Sequence, residues 1–590
     1  MNLRLNCMLK RTLFISIFFN SYLFSIDIDL KHNKLINESA YISSQCYTKT
    51  EDISNKNLLH NPCYSCHKKN KEPNFSFQDD DLQMAYDFPE SALKNPWTNL
   101  FKDRTEEVSK ISDKEILKYI NSNNYSKNNQ IILNNKLKNI PKKWDYNNNG
   151  KWDGYIPDCY FNFDDEGFDK DSNSNYTGWR SFAYRPFLGT FWPTNGSTDD
   201  VLIRLDKVFM QDNDGKFNLD IYKLNLSIVE SLIKQADVGI EPTDEKRYDY
   251  DINQNGKLDI AKKIVFKWRQ PKYNSKTFKI SDFSMTYVGK AKKLLEENEY
   301  LIAPGLYPVG TEFLHSVRYI GIDKDDEIVM SPRMKELRYG KKISWKTYYE
   351  LKNTGIEEIK DKDDFPDRLE QFIGNSEIGL YNALGWRYQG FIEDKQGELR
   401  PQSYEETYFC MGCHNNIGAI ADSTFVFQRK LEHSDFRKGW YHWTQKGLKG
   451  ISDMLLKNGD TEYVQYLKIN NAGDEFRQNK ELIEKFFIKD WEKDKQNIEK
   501  DLLLKLENPE TYLKQYWKVK KEEVKKVKKD ISHLILPSPK RAMELNKSYK
   551  IIVEEQSYIY GRDPHIKPLI NVHKEIQEGQ MTQLEKVSNE

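Results

Sequence analysis

Two short segments of the sequence hold thiols and an imidazole at the spacing of a covalent cofactor site. In each segment two cysteines stand three positions apart and a histidine follows directly; the residues are Cys63, Cys66 and His67 in the first segment and Cys410, Cys413 and His414 in the second. Two thiols at this spacing reach the two vinyl groups of one porphyrin, and the adjacent imidazole can bind its iron as the proximal ligand. The pattern predicts two covalently bound haem c groups.

Zinc binding and thiol redox chemistry use the same residue types and are the alternatives. A zinc site built from two such cysteine pairs usually has them closer together in the sequence. A thioredoxin-like pair needs no histidine after the second cysteine and occurs once, within a βαβ unit. Two complete copies of the longer pattern therefore favour haem.

The remaining cysteines fit an oxidising compartment. Cys46 and Cys159 form an even pair, so a structural disulfide between them is predicted, with thiolate ligation of iron by one of them as the alternative. Cys7 stands before Lys10 and Arg11, outside any lipid-attachment context, and would leave with the leader.

The beginning of the chain predicts export. Lys10 and Arg11 precede a mostly apolar run from Thr12 to Ser25, which is too short to span a bilayer comfortably and matches the hydrophobic part of a signal peptide. We therefore expect a periplasmic protein with no integral membrane span after the signal peptide is cleaved.

Composition excludes several classes of protein. The 590 residues contain 90 Lys and Arg and 90 Asp and Glu, and a nucleic-acid-binding protein normally has a basic excess. The mean hydropathy of −0.80 excludes a polytopic membrane protein. Aromatic residues make up 13% of the chain, so the core should consist largely of rings.

With its two C-x-x-C-H motifs, Cys63–His67 and Cys410–His414, the chain resembles exported dihaem c-type cytochromes. The resemblance implies one-electron transfer through two haems, with redox partner proteins in the periplasm and no nucleic acid. The alternative is a haem enzyme, peroxidase-like or acting on another small molecule, in which one iron keeps an open coordination position. Known dihaem cytochrome c peroxidases are much shorter, with their two motifs closer together.

A haem iron held by one histidine takes a sixth ligand for electron transfer or leaves that position open for chemistry. For the first haem the candidate distal ligand is Met84. For the second haem the candidates are His442, which stands among aromatic residues, and His315, within a strand-like run from Glu312 to Gly321. This run and Glu327–Met330 predict a β-hairpin.

Two loops have the alternating oxygen side chains and turn glycine of a calcium loop. They place Asp or Asn at positions 1, 3, 5 and 9 and Gly at position 6; the oxygen-bearing residues are Asp145, Asn147, Asn149 and Asp153 in the first loop and Asp251, Asn253, Asn255 and Asp259 in the second. Position 12 is Ile156 in one loop and Lys262 in the other, so an outside carboxylate such as Asp164, Asp165 or Asp249 would have to replace the usual glutamate. The alternative is an Asx-rich turn without metal, and residues 169–175 show a similar alternation without the glycine.

We predict an α+β multidomain protein with two haem c-binding regions that have little regular structure of their own. Between them lies a β and loop region rich in Asx and aromatic residues, and a helical region ends the chain. The predicted bounds are 1–25 for the signal peptide, 26–140 for the first haem c region, 141–300 for the region with the calcium-type loops, 301–470 for the second haem c region and 471–590 for the helical C-terminal region.

Overall fold

A computed structural model gives the fold of most of the chain. It describes residues 93–187, 196–415, 422–424, 427–435, 437–456, 459–470, 480–486 and 519–563, with shorter stretches at 29–31, 35, 37–38, 50–51, 58–60, 574–575, 577 and 581–582.

The described residues form a mixed α/β fold with antiparallel strands in nearly every pairing. In chain order the strands are β1 (Thr50–Glu51), β2 (Leu58–His60), β3 (Ser126–Lys127), β4 (Gln130–Ile131), β5 (Phe168–Lys170), β6 (Tyr176–Ser181), β7 (Thr198–Asp199), β8 (Leu202–Arg204), β9 (Val238–Asp244), β10 (Ile260–Ile264), β11 (Lys272–Asn274), β12 (Lys279–Ser281), β13 (Glu312–Ile322), β14 (Ile328–Lys342), β15 (Ile373–Asn375), β16 (Gly379–Tyr381), β17 (Trp386–Glu393), β18 (Leu399–Pro401) and β19 (Met581–Thr582).

Several helices begin at a side-chain cap. Asn218, Thr347, Ser403 and Ser538 each accept a backbone N–H of the first turn of the helix that follows them. The α-helices are α1 (Thr105–Lys110), α2 (Asp113–Ile120), α3 (Ile132–Lys138), α4 (Leu219–Lys234), α5 (Lys290–Glu296), α6 (Tyr348–Asp364), α7 (Tyr404–Met411), α8 (Trp443–Lys446), α9 (Glu462–Asn470), α10 (Lys480–Phe486), α11 (Lys521–Lys529), α12 (Ser532–Ile535) and α13 (Pro539–Glu555).

One ten-stranded sheet organises the molecule. Its main path runs β15-β16-β17-β14-β13-β8-β6-β5, with β18 paired to β17 and β7 paired to β13. The long strands β13 and β14 form its centre, where His315 pairs in register with Arg338 and Val317 with Glu336. The hairpin predicted from Glu312 to Met330 is therefore present, and β14 continues beyond it to Lys342.

Part of the predicted fold is wrong. Residues 301–470 were expected to have little regular structure, yet they supply the longest strands of the sheet. The sheet also includes β5 to β8, which come from the stretch 141–300. The sequence did not predict this, because local patterns do not show which distant strands pair. The bounds of the predicted regions stay a prediction.

The core is aromatic, as the composition predicts. Trp97, Trp179 and Trp386 are fully buried, and Tyr155 stacks on Tyr339 with ring centroids 3.8 Å apart. In the described part of the chain no helix is long and apolar enough to cross a membrane.

Candidate functional site

The second cysteine motif follows the C-terminal end of α7. Ser403 caps this helix in a capping box with Glu406, and the chain turns directly after it, where Cys413 and His414 donate their N–H groups to the Cys410 carbonyl. The side chains of Cys410 and Cys413 are partly exposed. The motif therefore places two cysteines at the C-terminal end of a mostly buried helix.

His414 is held in a closed polar and aromatic setting. Its Nδ1 lies 2.9 Å from the Ser423 carbonyl, and its ring lies 4.6 Å from the Tyr388 ring. Tyr388 is itself buried on β17. Burial lowers the pKa of His414 to about 4, so the imidazole is neutral at neutral pH.

The stability of the fold should depend on pH through this histidine. An unfolded imidazole with a pKa near 6.5 binds a proton well before folded His414 does, so the free energy of unfolding should fall as the pH falls from about 6.5 towards 4. The slope from one such group is at most about 1.4 kcal/mol per pH unit. Urea unfolding across this pH range should show that the free energy of unfolding of His414→Gln falls less steeply with falling pH than that of the parent protein. His433→Gln, at a side chain that is 31% exposed, is the control and should have a pH dependence nearer that of the parent protein.

His315 is half-buried and within electrostatic range of His414. Its Nε2 lies 3.4 Å from Asp199 Oδ2. Burial, together with the positive charge of Arg338, lowers the pKa of His315 to about 3, and His414 adds to this effect. Burial also raises the pKa of Asp199 to about 8. At neutral pH the contact therefore joins a neutral imidazole and a largely protonated carboxyl, and it is no ion pair.

His442, the other candidate, lies in a different network. Its Nε2 is 3.0 Å from Asp200 Oδ2 and its Nδ1 is 2.7 Å from Thr444 Oγ1. The ring stacks on Phe163 with centroids 4.6 Å apart. Both ring nitrogens are engaged, so a hydrogen-bonded structural role is sufficient to explain why this histidine is buried.

Several predicted residues cannot be placed. Cys46, Cys63, Cys66, His67 and Met84 lie outside the described residues. Cys159, the predicted disulfide partner of Cys46, is a fully buried free thiol, and burial raises its pKa.

The loop at Asp145 is built around the oxygens of its first residue. Asp145 Oδ1 accepts the N–H of Asn149 and its Oδ2 accepts the N–H of Gly150, both at 3.0 Å. The side-chain amides of Asn147 and Asn149 converge on Asp153 Oδ2 at 2.8 and 2.7 Å. Gly150 has a φ of +75°, which explains why a glycine stands at position 6.

The loop at Asp251 repeats this arrangement. Asp251 accepts the N–H groups of Asn255 and Gly256 on its two oxygens. The amides of Asn253 and Asn255 again converge on the carboxylate at position 9, each donating to an oxygen of Asp259 at 3.0 Å.

A buried glutamate from outside each loop binds the same two loop positions. Glu377 accepts the N–H groups of Tyr146 and Asp153, at 2.9 and 2.8 Å. Glu245 accepts those of Ile252 and Asp259, at 2.7 and 2.8 Å. Both glutamates are at most 1% exposed. Glu377 and Glu245 are thus the outside carboxylates that bind the loop backbone, and replacement of the position-12 ligand by Asp164, Asp165 or Asp249 stays a prediction.

Other Asp-rich turns of the chain lack this pattern. In the turns that begin at Asp171, Asp212, Asp323 and Asp394, a single carboxylate oxygen accepts the N–H groups two and four residues later. That is the bonding of an ordinary Asx turn. The loops at Asp145 and Asp251 thus form a separate pair. The four ordinary turns are a matched control for tests of calcium binding by the two loops.

The chemistry of the donors is that of a hard cation site. In the described part of the chain no group of three or more His, Cys, Asp or Glu side chains could hold a metal ion. Each loop instead combines two aspartates with two asparagines, whose amide oxygens are calcium ligands in proteins. The residues of the two loops therefore fit calcium, and calcium binding stays a prediction.

Comparison with known proteins gives the family. A model of a lipoprotein family matches residues 30–586. The chain belongs to this lipoprotein family. An uncharacterized lipoprotein from Aquifex aeolicus (strain VF5) is 31% identical to the chain over 571 residues, covering 89% of this chain and 86% of that protein. No solved structure matches the chain.

The family match corrects the identification made from the cysteine motifs. The assignment to the dihaem c-type cytochromes is wrong, and with it the one-electron-transfer function and the haem-enzyme alternative. Two five-residue motifs specify local thiol and imidazole spacing only, whereas the lipoprotein match extends over most of the chain. Haem attachment at the six motif residues is not tested by this match and stays a prediction. Membership of a lipoprotein family agrees with the predicted export.

Proposed function

We propose that this member of the lipoprotein family is an exported calcium-binding protein, with one ion in the loop at Asp145 and one in the loop at Asp251. The observation that carries the proposal is the repeated arrangement of the two loops, each with a buried outside glutamate on the N–H groups of positions 2 and 9.

Ligation would need both asparagine amides of each loop to turn and to release backbone contacts, because the oxygens of Asn147 and Asn149 accept the N–H groups of Asn149 and Lys151. The amide nitrogens of Asn147 and Asn149 point at Asp153, and a half-turn of each amide would direct the oxygens to the same place instead. Oxygen and nitrogen positions in such amides are assigned from the hydrogen-bond network. The two amide oxygens, the carboxylates at positions 1 and 9 and the backbone carbonyl at position 7 would together form a calcium-type set of oxygen ligands.

The outside glutamates support the loops without replacing the bidentate ligand of position 12. Their oxygens are engaged by backbone N–H groups, and positions 12 are Ile156 and Lys262. A site with fewer carboxylate ligands binds calcium weakly, in the range of about 10⁻⁴–10⁻³ M found in extracellular modules. That range suits an exported protein.

Bound calcium would brace the loop at Asp145 against the sheet. Gly154 lies so close to β15 and β16 that a Cβ there would stand 2.0 Å from the Glu377 carbonyl oxygen. Tyr155 donates its N–H to Gln389 of β17 at 2.7 Å. Rigid loop geometry at Asp145–Asp153 therefore supports the packing of three strands, so the role proposed for the ion is structural.

The proposal places the protein in the periplasm. The family name implies attachment to a membrane through lipid. Cell fractionation with and without a high-salt wash separates a protein free in the periplasm from one anchored through lipid.

Calcium should raise the melting temperature. Each bound ion stabilises the fold by RT ln(1 + [L]/Kd), about 2.7 kcal/mol at a hundredfold excess over Kd. Melting curves recorded with calcium and with chelator should therefore differ, and the difference should shrink in Asp153→Asn and in Asp259→Asn. Asp171→Asn, in an ordinary Asx turn, is the matched control and should keep the full difference. Superimposable curves for the parent protein would mean that the two loops are turns without metal.

A further inference from the structure

A short hairpin, formed by β11 and β12, projects two aromatic rings into solvent. Lys272 pairs with Ser281, Tyr273 with Ile280 and Asn274 with Lys279. Phe278 is 75% exposed and Tyr273 is 61% exposed. Large apolar side chains exposed together on one small element contribute nothing to the core and often mark an interaction site.

The backbone of Phe278 adds a second observation. Its φ is +57°, in the left-handed region that bulky residues rarely adopt. The turn needs no ring there, because the Asn274 side chain accepts the N–H groups of Lys276 and Thr277 and closes the turn by itself. A strained backbone that presents an exposed phenylalanine points to a function outside the fold.

Positive charge surrounds these rings. Lys267, Arg269, Lys272, Lys276 and Lys279 all lie in residues 267–281, which contain no Asp or Glu. Asp282, directly after the hairpin, pairs with Arg269 and Lys272. Lys276 and Lys279 make no ion pair with any residue that the structure describes, so the turn itself keeps its charge.

The hairpin is held firmly at its base. Asn298, after α5, accepts the N–H of Ile280 and donates its amide to the Ile280 carbonyl. Arg269 donates its N–H to Ser284 Oγ at 2.7 Å. The rings and lysines are therefore presented on a fixed support.

We propose that this hairpin, residues 267–281, docks the exported protein on an anionic lipid surface. Phe278 and Tyr273 would enter the interfacial region of the bilayer, while Lys276 and Lys279 contact lipid phosphates. The positive charge of the hairpin is complementary to an anionic lipid surface. A narrow two-stranded ribbon also has no groove of its own in which to bind a folded protein. The proposal does not depend on calcium binding by the loops.

The test is co-sedimentation of the mature full-length chain with vesicles of phosphatidylglycerol and phosphatidylcholine, and with vesicles of phosphatidylcholine alone. Binding is expected only to the anionic vesicles, and it should weaken as salt is added. Each lysine near an anionic surface changes the partition coefficient about fivefold, so Lys276→Gln and Lys279→Gln together should weaken binding about twenty-five-fold.

Phe278→Gly separates membrane docking from a loss of folding. Glycine accepts the left-handed backbone, so the melting temperature should be retained while vesicle binding falls. Ile373→Ser, at a residue that is 81% exposed elsewhere, is the control and should bind like the parent protein. The proposal is overturned if the parent protein ignores anionic vesicles, or if the lysine and phenylalanine variants bind them unchanged. Binding to an acidic protein but not to vesicles would also overturn it.

Discussion

Lys342→Met should lower the free energy of unfolding by about 3–5 kcal/mol, because it leaves the buried Asp422 carboxylate without its cation. Lys342 Nζ lies 2.6 Å from Asp422 Oδ2, and both side chains are 0% exposed. Burial raises the pKa of Asp422 and lowers that of Lys342, and their mutual attraction opposes both shifts. Urea unfolding followed by tryptophan fluorescence measures the change.

The double variant Lys342→Met with Asp422→Asn tests whether the loss comes from an uncompensated charge. The double variant should recover much of the free energy of unfolding, because two neutral side chains leave no unpaired charge buried in the core. Lys110→Met, at an exposed pair with Glu106, should leave the stability nearly unchanged. Equal losses in the single and double variants would show that packing, and not charge, holds this position.

The same pair positions the second cysteine motif. Asp422 and Ser423 both have a positive φ, and the Ser423 carbonyl bonds His414. Asp422 also accepts the N–H of Tyr307 at 2.9 Å, which fixes this turn to the core. We therefore expect Lys342→Met to disturb the surroundings of His414 as well as the overall stability.

Glu245→Ala should lower the free energy of unfolding by about 2–4 kcal/mol. The carboxylate accepts three backbone N–H groups, those of Ile252, Asn253 and Asp259, and alanine leaves them without an acceptor. Under the calcium proposal the variant should also show a smaller stabilisation by calcium. Equilibrium unfolding in calcium and in chelator measures both effects.

Two further variants make this result specific. Glu377→Ala, which removes the acceptor of two N–H groups at the other loop, should cost less than Glu245→Ala. Glu106→Ala, at a side chain that is 81% exposed, should leave the stability nearly unchanged. A loss at Glu245 no larger than that at Glu106 would contradict the role given to the buried carboxylate.

Local sequence patterns were sufficient for the elements whose geometry is set by neighbours in the chain. The loops at Asp145 and Asp251 have their glycines at positive φ, at +75° and +84°, because the turn chemistry lies within a few residues. The β13–β14 hairpin follows for the same reason, since its two strands adjoin one short turn. The spacing of the cysteine motifs did not identify the family, and the haem attachment predicted from it stays a prediction.

Tertiary structure decided which distant residues meet. Glu377 reaches the Asp145 loop across more than two hundred residues, and no pattern near the loop predicts it. His315, Asp199 and His414 come from two strands and the turn after a helix, and the fold brings them within electrostatic range of one another. The sequence by itself determined the turn chemistry, the aromatic core and the predicted export. Only the folded sheet decided which partner each buried charged group has. Burial and nearby charges set the protonation of such a group, and both depend on contacts between residues that are distant in the sequence.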